Sequence, residues 1–83
     1  MGKLNVELHY KNNSTDIMRV IGFTEQELSE LNSMTYHEMK ETVLDALDKR
    51  NSGLGSQWKC GFGVFQMWIS NGAVYVEIGN SCD

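Results

Sequence analysis

The chain has 83 residues and a mass of 9.4 kDa, which is enough for one small domain. Hydrophobic residues make up 41% and charged residues 22%, a composition typical of globular proteins and unlike that of disordered chains. No apolar run approaches the roughly 18 residues that cross a bilayer, and the first residues lack the apolar segment of a secretory signal. We therefore expect one compact cytoplasmic domain over residues 1–83, with no membrane contact.

Acidic residues are concentrated in one part of the sequence. The net charge is −4, from 11 acidic and 7 basic residues. Between Thr24 and Asp48, seven carboxylates accompany one base, Lys40, so this segment has a net charge of −6 and the remaining residues sum to +2. Such a concentration disfavours direct nucleic-acid binding and favours a basic protein surface as the partner.

Two segments near the N terminus have the patterns of strands. Residues 4–10 alternate between apolar and polar side chains, which is the period of a half-buried strand. The polar run 11–16 predicts a loop, because Asn, Ser and Asp side chains bond to nearby backbone. The partly β-branched run 17–23 predicts a second strand that pairs with the first as a hairpin.

Two helices are predicted between residues 24 and 50. Thr24 and Thr35 each precede a glutamate by three residues, the spacing of a capping box at a helix start. The first helix is predicted to end near residue 32 and the second near residue 50, where Gly53 suits a left-handed position. The apolar side of the second helix is predicted to consist of Tyr36, Met39, Val43, Ala46 and Leu47, with Leu44 beside it.

The C-terminal third of the chain predicts a hairpin. Asn71-Gly72 lies between two apolar runs and indicates a two-residue turn. Counting outward from this turn pairs Ile69 with Val74, Met67 with Val76 and Phe65 with Ile78 on one face, and Trp68 with Tyr75 and Gln66 with Glu77 on the other. Upstream, residues 53–56 are expected to form a flexible link. Residues 58–64 are expected to form a strand that Gly61 and Gly63 interrupt with a bulge or a close backbone contact. Residues 80–83 are expected to fray.

These elements predict an α+β fold. An N-terminal strand or hairpin and the C-terminal Asn-Gly hairpin form a small antiparallel sheet, and two helices pack on one face of it. On the uncovered face, Trp68 and Tyr75 would be typical interface anchors. The inverted arrangement, in which the helices cover Trp68 and Tyr75, stays open at this point. In both arrangements one face bears large apolar residues that a homodimer would cover.

No pattern in the sequence is specific for catalysis, a cofactor or a metal. His9, His37, Cys60 and Cys82 lack the spacing that places two metal ligands on one turn. Cys60 could act as a nucleophile with a histidine as base, but no protease signature surrounds it and a packed thiol is favoured. Cys60 and Cys82 are expected to be free thiols. We therefore expect a protein that is not an enzyme, with no cofactor and no metal.

The C-terminal part of the chain resembles the dynein light chain family. The resemblance rests on Asp48-Lys49-Arg50-Asn51 at the end of a helix, on Trp58-Lys59-Cys60 with Gly63 three residues further, and on Tyr75-Val76-Glu77-Ile78-Gly79. It implies a dimer that binds extended peptides by adding them to a sheet edge. The alternative function is accordingly a homodimeric domain that binds a peptide or small ligand at a sheet edge or between subunits. In that case Trp58, Phe62 and Gly63 would matter.

The favoured hypothesis is a non-enzymatic protein-binding module. Phages and mobile elements encode small, acidic α+β chains of this kind to block host proteins, anti-CRISPR inhibitors among them. The acidic residues would cover a basic, nucleic-acid-binding surface of the partner, while two aromatic residues anchor the contact. The expected site residues are Glu27, Glu30, Glu38, Glu41, Asp45, Asp48, Trp68 and Tyr75.

Overall fold

The fold is an antiparallel sheet with helices on one side, as a computed structural model shows for residues 3–58 and 63–79. In chain order the elements are β1 (Asn5–Lys11), β2 (Thr15–Ile21), α1 (Glu25–Asn32), α2 (Tyr36–Arg50), α3 (Leu54–Gln57), β3 (Val64–Ser70) and β4 (Ala73–Gly79). The four strands are ordered β1-β2-β4-β3, so β1 and β3 are the edges of the sheet. The predicted α+β class and both predicted hairpins are confirmed.

Both long helices begin where the capping boxes predict. The hydroxyl oxygen of Thr24 accepts a hydrogen bond from the backbone N–H of Glu27 at 3.1 Å, and the Glu27 carboxylate accepts one from the N–H of Thr24 at 2.8 Å. Thr35 and Glu38 repeat this arrangement at 3.2 and 3.1 Å. Each box satisfies amides that have no partner within the helix, which fixes where α1 and α2 start.

The core lies between the helices and one face of the sheet. Leu44, predicted beside the apolar stripe of α2, is fully buried. Tyr36, predicted within that stripe, is instead 44% exposed, because the first turn of α2 lies beside the edge strand β3 and not over the centre of the sheet. The side chains with the least exposure are Leu4, Val20, Val43, Leu44, Leu47, Val74 and Val76.

The segment after α2 differs from the prediction. Of the link predicted for residues 53–56, residues 54–56 are helical, and Trp58, predicted to begin a strand, ends α3 and is buried in the core. Gly53 has a φ of 88°, the left-handed conformation predicted for it. Packing requires a glycine at position 55, because a Cβ there would collide with the backbone carbonyl of Leu44. The short helix α3 therefore lies directly against the backbone of α2.

The hairpin of β3 and β4 has the predicted turn and most of the predicted register. Asn71 and Gly72 have φ angles of 50° and 75°, as a type I′ turn requires. The predicted pair of Phe65 with Ile78 is wrong, because a bulge between Val64 and Gln66 places Val64 opposite Ile78 and leaves Phe65 63% exposed. The confirmed pairs are Ile69–Val74, Met67–Val76, Trp68–Tyr75 and Gln66–Glu77.

Some predictions concern residues outside the described ranges. These are the bulge at Gly61, the roles of Cys60 and Phe62, the pairing state of Cys60 and Cys82, and the fraying of residues 80–83. None of the helices in the described ranges is long and apolar enough to cross a membrane.

Candidate functional site

The second face of the sheet carries a row of side chains that crosses all four strands. Glu7 on β1 is opposite Arg19 on β2, Arg19 is opposite Tyr75 on β4, and Tyr75 is opposite Trp68 on β3. The buried core cluster contains none of these four residues. It consists of side chains from the helices packed against the other face of the sheet. The inverted arrangement, with the helices over Trp68 and Tyr75, is therefore wrong.

The aromatic half of this row is closely packed. The rings of Trp68 and Tyr75 are stacked, with centroids 5.6 Å apart and planes inclined by 7°. The ring of His9 meets Tyr75 edge-on at 5.0 Å. Tyr75 is consequently only 7% exposed, so the expectation that it is an exposed anchor is wrong. Trp68, which is half-buried on an edge strand, is the accessible member of the stack.

Charged side chains around the N-terminal hairpin occur in pairs. Glu7 and Arg19 approach to 3.5 Å on the helix-free face, and Lys11 and Asp16 approach to 3.3 Å near the hairpin loop. Both pairs are partly exposed, so each adds little stability. Their effect is to leave this part of the sheet without a surplus of either charge.

Glu77 is held by two hydrogen bonds on the same face. One carboxylate oxygen accepts from the side-chain amide of Gln66 at 2.6 Å, and the other accepts from the hydroxyl of Thr15 at 2.8 Å. Both bonds favour the charged form, Gln66 more than Thr15, and lower the pKa of Glu77 from its ordinary 4.5, although desolvation acts in the opposite direction. The carboxylate links β2, β3 and β4, so its role is structural.

The acidic residues of the predicted site lie on the helices. The helices pack on the core face of the sheet, whereas Trp68 and Tyr75 lie on the other face. The structure thus places the acidic residues on two helices and Trp68 beside Tyr75, and it separates the two groups. Glu27 and Glu30 are on α1, and Glu38, Glu41, Asp45 and Asp48 are on α2.

Three of these carboxylates have identifiable structural partners. Glu27 and Glu38 complete the two capping boxes, and Glu27 also lies 3.8 Å from the guanidinium of Arg50. Asp48 accepts hydrogen bonds from the backbone N–H of Ser56 at 2.6 Å and from its hydroxyl at 2.8 Å. Asp48 thereby holds α3 against the end of α2.

The acidic helix surface consists of the exposed carboxylates Glu30, Glu38, Glu41 and Asp45. Asp45 lies 3.1 Å from Lys49, but both side chains are more than half exposed, so solvent screens the pair strongly. This side of the molecule therefore presents mainly negative charge.

The structure offers no metal centre in the ranges it describes. Across residues 3–58 and 63–79, no group of three or more His, Cys, Asp and Glu side chains is arranged to hold an ion. His9 lies on the sheet and His37 in the first turn of α2.

Two grooves beside the edge strand β3 were not predicted. One, of about 320 Å³, is lined by residues at the end of α1, at the start of α2 and in β3, including Leu31, Tyr36, Met39 and Met67. The other, of about 340 Å³, lies between Lys40 of α2 and Gly63 before β3. Gly63 is one of the residues expected to matter for edge binding, whereas Trp58 is buried in the core. The sequence feature that could have indicated a contact region at this edge is the lack of charged residues in 64–70.

No protein-family model matches this chain, and no curated protein or solved structure is significantly similar to it. The resemblance to the dynein light chain family gains no support from these comparisons. What the structure defines is a small α+β protein with two separate candidate contact regions, the acidic helix surface and the edge at β3.

Proposed function

We propose that this chain is a non-enzymatic protein-binding module whose acidic helix surface binds a basic surface of a partner protein. The supporting observation is the separation of charge within the fold. Helices α1 and α2 carry seven carboxylates against three basic residues, a net charge of −4, while charged residues of the N-terminal hairpin are paired with one another. A surface dominated by one sign of charge speeds association with a complementary surface and disfavours other partners.

The class of partner follows from the shape of this surface. Glu38, Glu41 and Asp45 share one side of α2, a helix of 15 residues and therefore roughly 22 Å in length. A row of carboxylates on a helix resembles a phosphate backbone in charge, so it suits a groove that binds nucleic acid. The chain would act by occupying that groove, as inhibitors encoded by phages and mobile elements do, including those directed against CRISPR systems and other host defences.

The test compares two variants with the same change in net charge. Glu41→Gln/Asp45→Asn removes two negative charges from the acidic helix surface, and Asn13→Lys/Ser14→Lys adds two positive charges in the exposed β1–β2 loop. Each variant and the wild type are immobilised and exposed to cell lysate, with and without competing duplex DNA. Mass spectrometry identifies and quantifies the captured proteins.

We expect the wild type and the loop variant to capture a nucleic-acid-binding protein that DNA displaces. The Glu41→Gln/Asp45→Asn variant should bind that protein about tenfold less tightly and with a weaker dependence on salt. Equal losses in both variants would mean that net charge alone governs capture. Undiminished, DNA-insensitive capture by Glu41→Gln/Asp45→Asn would overturn the proposal.

The grooves beside β3 support a second candidate, a homodimeric domain that binds a peptide or small ligand at the sheet edge or between subunits. In this case the residues that matter lie in the groove, such as Tyr36, and the acidic helix surface is dispensable. The same capture experiment separates the candidates, because a Tyr36→Ala variant would lose the partner and Glu41→Gln/Asp45→Asn would keep it.

A further inference from the structure

The edge strand β3 lacks two of the features that normally prevent an edge from pairing, charge and proline, and its bulge lies close to one end. Its sequence, VFQMWIS, contains no charged residue and no proline. Soluble proteins usually protect sheet edges with charged side chains, prolines, bulges or covering segments. Among the elements that the structure describes, no strand pairs with the outer side of β3.

The hairpin turn determines which backbone groups of β3 point outward. Ser70 and Ala73 flank a two-residue turn, so they exchange hydrogen bonds with each other, and along an antiparallel ladder every second residue does the same. Trp68 therefore bonds to β4. Met67 and Ile69 direct their N–H and C=O groups away from β4, toward the open side of the strand.

The regularly paired part of β3 extends two residues on each side of Trp68. The bulge between Val64 and Gln66 ends the regular strand on one side, and the turn at Asn71 ends it on the other. Residues 66–70 remain, with Trp68 at the centre and the outward-pointing Met67 and Ile69 on either side. A second, antiparallel copy of this segment, related by a twofold axis at Trp68, would satisfy every one of these outward groups.

We propose that two copies of this chain pair through β3 about a twofold axis at Trp68 and form one continuous antiparallel sheet. Met67 of each copy then exchanges backbone hydrogen bonds with Ile69 of the other. On the helix-free face Trp68 lies beside Trp68 of the second copy, which extends the Trp68–Tyr75 stack across the interface. Gln66 lies opposite Ser70, so every facing pair matches in polarity.

A second copy fits this edge better than a charged partner does. The strand offers no charge for a basic or acidic segment to recognise, whereas its own apolar and polar positions match in the twofold register. The groove that contains Tyr36 and Met39 opens beside the same residues of β3 and adds apolar surface next to the paired strands. This inference is independent of the acidic helix surface, so either proposal can fail alone.

Disulfide trapping tests the register. In a Cys60→Ser/Cys82→Ser background, Gln66→Cys is mixed with Ser70→Cys and oxidised with glutathione disulfide, after circular dichroism confirms that both variants are folded. Opposed Cβ atoms of paired strands lie about 5 Å apart, close to disulfide geometry. Two copies of residue 70 would be offset by four residues, roughly 13 Å. We therefore expect the mixture to yield a cross-linked heterodimer and Ser70→Cys alone to stay monomeric in denaturing gels.

Failure of the mixture to cross-link would overturn the proposed register, and so would equal cross-linking by Ser70→Cys alone. Sedimentation equilibrium provides a second test that leaves the native cysteines in place. Gln66→Lys/Ser70→Lys brings like charges opposite each other twice in the dimer, while Asn13→Lys/Ser14→Lys adds the same charge elsewhere. The first variant should raise the dimer dissociation constant about tenfold or more, and the second should leave it within about twofold of the wild type.

Two results of this measurement would contradict the proposal. A wild type that remains monomeric up to about 0.5 mM would exclude a β3 dimer of useful affinity and leave the edge to an extended segment of another protein. A dimer that Gln66→Lys/Ser70→Lys does not weaken would show that the copies meet through another surface.

Discussion

The two edges of the sheet are constructed differently. β1 carries Glu7 and Lys11, has a bulge in its middle between Leu8 and Tyr10, and exposes most of its side chains. β3 carries no charge, has its bulge close to one end, and buries Met67 in the core. β1 thus has the features of an edge that stays in water, whereas β3 resembles an interior strand that lacks its neighbour.

One row of the sheet shows how the helices produce this difference. Leu8, Met18, Val76 and Met67 lie side by side on the core face, from one edge to the other. Met67 is 5% exposed, but Leu8 at the other end of the row is 53% exposed. The helices therefore cover the β3 end of this row and leave its β1 end open. Position at an edge does not by itself decide exposure, because the placement of the helices matters as much.

The largest expected effect concerns the close contact between α3 and α2. The Gly55→Ala substitution would force a methyl group into the backbone carbonyl of Leu44 and push α3 away from α2. Overpacking against backbone that cannot move should lower the free energy of unfolding by about 3 kcal/mol. Urea denaturation followed by circular dichroism measures this loss.

Gly53→Asn is the matched control for Gly55→Ala. A Cβ at position 53 meets no atom within 4 Å, and asparagine tolerates the left-handed conformation found there. The control should lose less than about 1 kcal/mol. Equal losses in the two variants would show that the contact between α3 and α2 is not what makes glycine necessary at position 55.

A second prediction compares the two ends of the row directly. Met67→Ala removes a buried side chain and should destabilise the protein by about 2–4 kcal/mol. Leu8→Ala removes a side chain that is more than half exposed, and should cost less than about 1 kcal/mol. Thermal and urea unfolding of both variants gives the two values, and similar losses would contradict the asymmetric coverage of the sheet.

The smallest expected effect is on the pH dependence of stability. It comes from the carboxylate of Glu77, which joins β4 to β2 and β3. Because the pKa of Glu77 is lowered in the folded protein, its stabilising contribution is present above pH 4.5 and is lost as the pH falls through the folded-state value. A Glu77→Gln variant lacks this titration. Its melting temperature should therefore fall less steeply than that of the wild type below pH 4.5, with Glu7→Gln as the comparison on β1. Parallel curves for wild type and Glu77→Gln would argue against the hydrogen bonds from Gln66 and Thr15.

Local signals in the sequence predicted much of this fold. Thr24 and Thr35 mark helix starts through contacts within four residues, and Asn71-Gly72 determines both the turn and the register that follows it. Such features depend only on neighbours along the chain, so a single sequence contains the information needed to predict them.

Features that depend on distant contacts were not predictable in this way. The helix α3 forms where glycines indicated a flexible link, because Gly55 allows close packing against Leu44. Tyr75 is buried because Trp68 and His9 come from other strands to cover it. The separation of the acidic residues from Trp68 likewise follows from which face of the sheet the helices cover, and either face was compatible with the alternation of side chains.

The central claim is that β3 is an edge strand that pairs with β3 of a second copy. The most direct test is amide hydrogen exchange, measured by NMR over a range of protein concentrations. The amides of Met67 and Ile69 point outward from β3, and by the same alternation those of Val6 and Leu8 point outward from β1. We predict that exchange at Met67 and Ile69 slows as the concentration rises, while exchange at Val6 and Leu8 does not change. Exchange at Met67 and Ile69 that stays as fast as at Val6 and Leu8 at every concentration would contradict the account.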